Sequence, residues 1–133
     1  MKCNTRRRNG VLHGVVRGDA VVPALSYTGT VDGTSTFSAD FGSDTFTSTL
    51  NLVANDSAHS SIGSFDFGGT IAHDGDGNSN FFGNTSAYPA YAGQMNGGFF
   101  GPNADEFGAV WTLLQDGPSG RMTAYGAAAG KKD

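Results

Sequence analysis

The chain has 133 residues and a formal net charge of −4, long enough for one domain with one core. Its 21 glycines are balanced by ten Phe, four Tyr and one Trp, which argues against disorder, because disordered chains lack the apolar surface to offset ordering entropy. All eight Lys and Arg lie at positions 2–17 or 121–132, and every acidic residue except Asp133 lies between them, so the body is a poor match for nucleic acid or for small anionic ligands.

In chain order, residues 1–24 are basic and free of aromatics, and are expected to form a partly disordered arm. The Val-rich piece from Val11 to Val22 offers one edge strand as the alternative. The only cysteine, Cys3, excludes an intrachain disulfide and any multi-cysteine metal site. Met1-Lys2 is no apolar lead into a lipidated cysteine, and the run after Arg6-Arg7-Arg8 is too short for a twin-arginine export signal, so no export signal or lipobox is expected. Nor does any stretch approach the roughly 18–20 apolar residues of a membrane-spanning helix.

From Leu25 the pattern alternates with a period of two. Leu25–Val31 and Phe37–Phe41 are predicted strands joined by a turn at Asp32-Gly33, and Gly42-Ser43-Asp44 turns the chain again. Phe46, Ser48, Leu50 and Leu52 oppose Thr45, Thr47, Thr49 and Asn51, a polar β-branched set suited to a solvated face. Further strands are predicted over Ser64–Ile71, Asn80–Gly83, Gly93–Phe100, Phe107–Leu114 and Arg121–Ala128. Eight short strands and no helix beyond one turn make the chain all-β. A closed antiparallel eight-stranded up-and-down barrel removes exposed edges, and a filled interior is expected at that strand number. A two-sheet sandwich has the same sequence statistics, and pattern alone favours the barrel only slightly.

Between the sixth and seventh predicted strands, Gly101-Pro102 stops the first because Pro donates no ladder hydrogen bond. Asn103 is suited to cap a single helical turn, with Glu106 reaching back in a capping box and Gly108 ending the turn. The block from Gly97 to Trp111 resembles the Gly-x-Phe-Tyr/Phe-Gly-Pro-x-Ala-x-Glu-x-Gly-Gly segment of the transferrin-binding-protein-B-like surface lipoprotein β-barrel. Tyr27-Thr-Gly29, Ala39-Asp-Phe41, Ile71, Phe82-Gly83 and Tyr125-Gly126-Ala127 follow in the expected order, so the resemblance spans roughly 25–130. Ala109 replaces the second Gly of the usual pair. The resemblance implies a filled eight-stranded barrel of an outer-membrane or secreted lipoprotein, often beside a separate handle domain.

Chemistry is sparse in this sequence. His13, His59 and His73 sit in no nucleophile or zinc motif, and Gly-x-Ser-x-Gly, His-Glu-x-x-His and phosphate-loop patterns are missing, so no enzyme is expected. Asp74, Asp76 and Asn78 have the alternate spacing of calcium ligands, but Thr85 stands where the closing Glu would be, and Asp-Gly and Gly-Asn also suit a turn. No metal or cofactor is therefore expected. Phe81-Phe82 and Phe99-Phe100 should each place one ring inside and one outside. The leading expectation is a monomeric, non-enzymatic binding or anchoring module that does not span a membrane and meets a protein with a basic surface. The alternative is a carrier of haem or another small hydrophobic ligand, with His59 and His73 as candidate axial ligands and the lack of body cations weighing against propionate binding.

Overall fold

Along every strand, side chains point alternately into one shared apolar interior and out of it. The computed structural model describes residues 10–73, 79–86, 90–100 and 106–132. It comprises β1 (Gly10–Val22), β2 (Tyr27–Asp40), β3 (Thr45–Ala54), β4 (Ser61–His73), β5 (Ser79–Thr85), β6 (Ala92–Phe100), β7 (Glu106–Gly117) and β8 (Gly120–Lys132), with one 3-10 turn at Pro23–Leu25. Every neighbour is antiparallel, and β8 returns to pair with β1, closing the barrel.

Two expectations change. Residues 10–22 are not an arm: the Val-rich piece is a strand, β1, but no edge, being in register with β2 from Gly10 opposite Ala39 to Val22 opposite Tyr27 and with β8 on its other side. Residues 1–9 lie outside the described residues. The Asp32-Gly33 pair is not a turn either. Both residues sit within the continuous strand β2, flanked by Arg17 and Val16 on one side and by Val53 and Leu52 on the other. Gly33 points inward, where a Cβ would run into the carbonyl oxygen of Asn51. Glycine is required there by close approach rather than by a turn. The strand number expected from the pattern is right, but β1 supplies the eighth strand and the first two predicted strands are one.

The interior is divided along the axis. At one end Phe37 stacks on Phe46 with centroids 4.9 Å apart and on Phe107 at 5.0 Å, while Phe81 and Phe99 pack on it at 4.6 and 5.5 Å. Toward the other end the filling is Val31, Leu50, Leu52, Met95, Trp111 and Leu113, all at most 1% exposed. An eight-stranded barrel leaves room for little more than side chains, and these fill it. The seam between β1 and β8 is drawn tight by facing glycines. Gly18 lies opposite Gly126, and a Cβ on Gly126 would strike the carbonyl oxygen of Arg17.

Candidate functional site

The two histidines considered as metal or haem ligands lie at opposite ends of the barrel. His59 is exposed in the β3–β4 connection with φ 50°. In the same connection, Asp56 accepts hydrogen bonds from the Ser60 amide (3.0 Å) and the Ser60 hydroxyl (2.9 Å). Those bonds, the amide first, hold the Asp56 carboxyl below the usual carboxylate range. His73 ends β4 at the other mouth, where Nε2 meets Asp44 Oδ1 at 2.7 Å and Nδ1 meets Ser79 Oγ at 2.8 Å. Both ring nitrogens are engaged, so axial ligation by His73 would have to break one of these bonds.

The Asp44–His73–Ser79 chain joins an acid, a base and a hydroxyl, a set the sequence did not reveal because 29 residues separate the first two. Ser79 is 2% exposed and points into the barrel end, so its hydroxyl is shielded from any substrate. The chain works as a clasp. Asp44, at φ 58° in the β2–β3 turn, also accepts the Ile71 amide at 2.8 Å through its backbone carbonyl, and Phe41 packs beside the His73 ring with centroids 6.2 Å apart. Asp74, Asp76 and Asn78 lie outside the described residues, as do Gly101, Pro102 and Asn103. Glu106 and Gly108 are strand residues of β7, opposite Phe100 and Gly98, so neither belongs to a helical turn. No group of three or more metal-ligating side chains occurs among the described residues.

With the interior filled, the surfaces left for recognition are the loops and the outer wall, and the wall has two characters. On β2 the outward residues are Thr28, Thr30, Asp32, Thr34, Thr36, Ser38 and Asp40; β3 adds Thr45, Thr47, Thr49 and Asn51, and β4 adds Ser64 and Asp66. These side chains cross-link the strands. Thr49 Oγ1 donates to Asp66 Oδ1 at 2.7 Å, Asn55 Nδ2 donates to Thr30 Oγ1 at 3.0 Å, and Ser64 bonds Asn51. Arg17 reaches the edge of this face, 3.5 Å from Asp32. The outer wall of β7, β8 and β1 instead exposes Val15 (66%), Tyr125 (60%) and Val110 (59%), with Phe100 (57%) beside it on β6. The paired rings behave as the alternation requires: Phe81 and Phe99 are buried, and Phe82 and Phe100 are exposed. Alternation made the Thr-rich wall legible in the sequence; no local signal marked the apolar one.

Residues 7–132 match the family model described as the C-lobe and N-lobe β-barrels of Tf-binding protein B. A search of curated proteins finds no match. Among solved structures, transferrin-binding protein B from Haemophilus parasuis Hp5 is similar at 20% identity and TM-score 0.60, over 96% of this chain and 26% of that one. The isotype 1 protein from serogroup B Neisseria meningitidis is similar at 18% identity and TM-score 0.57, over 95% of this chain and 26% of that one. Intact Ap-TbpB, with N and C lobes, is similar at 17% identity and TM-score 0.54, over 95% and 27%. The chain thus spans about a quarter of the length of these proteins, and the likeness is one of fold.

Proposed function

The chain belongs to the family of C-lobe and N-lobe β-barrels of transferrin-binding protein B, and from that premise we propose that it is a non-enzymatic protein-binding module of an outer-membrane-associated or secreted bacterial protein. The observation that carries the reading is the polar wall of β2–β4, which presents Asp32, Asp40 and Asp66 on a rigid sheet amid hydroxyl and amide side chains. Sheet residues hold their side chains at fixed spacing, so the carboxylates face a partner already ordered and at low entropic cost. A basic patch on that partner supplies the complementary charge, and the association is steered and salt-sensitive. Haem carriage is not favoured, since the interior is full and His59 and His73 stand at opposite mouths.

The test is surface plasmon resonance on the immobilised chain, with transferrin as the first analyte and cytochrome c as a generic cationic one. Saturable binding should weaken as salt rises, and the double substitution Asp32→Lys with Asp66→Lys should weaken it by about 10-fold or more. The Thr49–Asp66 bond and the Arg17–Asp32 pair that the variant loses are both solvent-exposed, so it should stay folded with only a small fall in thermal midpoint. Binding that is indifferent to both salt and the substitutions would sink the proposal, and so would no binding to either analyte.

A further inference from the structure

The described residues include nine large hydrophobic side chains that stand exposed, and none of them is on β2, β3 or β4. Six lie on the contiguous strands β7, β8 and β1: Val11, Val15, Val21, Val110, Leu114 and Tyr125. Isolated exposed side chains of this kind are ordinary, but a contiguous set marks a surface that is covered in use. Charge is arranged to match. Along the middle of this wall the outward residues Thr123, Tyr125, Ala127 and Ala129 of β8 and Gly108, Val110, Thr112 and Leu114 of β7 are all uncharged. Toward its edges and ends the wall sets Arg17, Arg121 and Lys131 against Asp19, Glu106 and Asp116, so two copies that each carry a net charge of −4 can meet here on a surface of balanced charge.

The strand register shows that the wall fits itself. Outward residues line up across β1, β8 and β7 in successive rows: Val15–Ala129–Gly108, then Arg17–Ala127–Val110, then Asp19–Tyr125–Thr112. The third row carries a projecting Tyr125 ring. Around the first row is a shallow depression of about 550 Å³, lined by Val15, Phe100, Gly108 and Ala129, with His13, Lys131 and Glu106 also lining it. Knob and hollow lie one row on either side of Ala127, about 6.8 Å each way. A two-fold axis normal to the wall at Ala127 exchanges the first and third rows, and so sets each copy's ring over the other copy's hollow.

We propose that the outer wall of β7, β8 and β1 is a self-association surface, on which a second copy of this chain docks about a two-fold axis at Ala127. The monomer expected from the sequence gives way to a dimer. Such an isologous contact closes on itself and produces no further polymer. Three strands about 4.8 Å apart and about 40 Å long present on the order of 600 Å² per copy, the lower bound of a specific interface. The dimer is accordingly weak, with a dissociation constant on the order of 10–100 μM. Its apolar contact strengthens as salt screens the like net charges, the opposite of the salt response of the acidic wall.

Sedimentation equilibrium of the full chain from about 1 to 500 μM, at about 0.1 and 1 M NaCl, reads this directly. A monomer–dimer equilibrium that tightens at high salt is expected, and Tyr125→Ala should weaken it about 10-fold while leaving the far-ultraviolet spectrum unchanged. In a Cys3→Ser background, Ala127→Cys sits on the axis and should form an intermolecular disulfide under mild oxidation far faster than Thr47→Cys on β3. A monomer throughout the range overturns the proposal. Equal cross-linking at the two positions, higher oligomers, or a dimer untouched by Tyr125→Ala would each overturn it as well. Failure of transferrin or cytochrome c binding would leave these results unaffected, so the two ideas stand or fall separately.

Discussion

The outer walls of β2–β4 and of β7–β8–β1 rest on the same filled interior yet obey different chemistry. The first is built from Thr, Ser, Asn and Asp, whose side chains bond one another across strands, as Thr49 does to Asp66. The second sets Val, Ala, Gly, Tyr and Leu among opposite charges such as Arg17 and Asp19, and leaves six large hydrophobics in the open. A barrel needs neither arrangement for its stability, because the interior alternates reliably on every strand. The outer walls are therefore where one member of this fold can differ from another, and here they divide into a hydroxyl-rich polar half and a half that exposes large hydrophobics.

Removing what the halves share should have the largest effect. Phe37 lies against Phe46, Phe81, Phe99 and Phe107, so Phe37→Ala should cost about 3–5 kcal/mol in chemical denaturation and lower the melting midpoint of both halves together. Breaking the closure comes next. Gly126→Ala drives a methyl into the Arg17 carbonyl across the β1–β8 seam and should cost about 2–4 kcal/mol, whereas Ala127→Ser, one residue on and facing outward, should stay within about 0.5 kcal/mol. A variant of Gly126 with wild-type stability would mean that the seam can open without cost.

A smaller effect is expected at the β3–β4 connection. Asp56 is held below the usual carboxylate range by Ser60, so its contribution is complete above the ordinary carboxylate pKa and is lost as pH falls through the lowered folded value. Between about pH 5 and pH 2 the Ser60 amide should lose protection from hydrogen exchange, and Asp56→Ala should show that loss already at neutral pH. At neutral pH the opposite mouth supplies the internal control, since Asp56→Ala should leave the Ile71 amide, bonded to the Asp44 carbonyl, protected.

The division between the walls also explains what could be read from the sequence. β3 announces itself because inward Phe46, Leu50 and Leu52 alternate with Thr and Asn. β1 does not: Leu12, Val16 and Val22 face inward while Val11, Val15 and Val21 face outward, so both faces are apolar and the period of two has no contrast. The sequence therefore offers an edge strand there without showing that it pairs on both sides. Gly33 misled for a related reason. An Asp-Gly pair suits a tight turn, but here the missing Cβ makes room for the Asn51 carbonyl, a contact that arises only once β3 is in place. The clasp was equally out of reach, because Asp44 and His73 meet only when the β2–β3 turn folds over the end of β4.

The central claim is that the two walls have separate partners. A two-dimensional amide NMR titration of the labelled chain with cytochrome c, at a protein concentration low enough to keep it monomeric, tests this most directly. The account expects shifts confined to the β2–β4 wall around Asp32, Asp40 and Asp66, with Tyr125, Ala127 and Ala129 unmoved. Shifts centred on β7, β8 and β1, or spread evenly around the barrel, would contradict it.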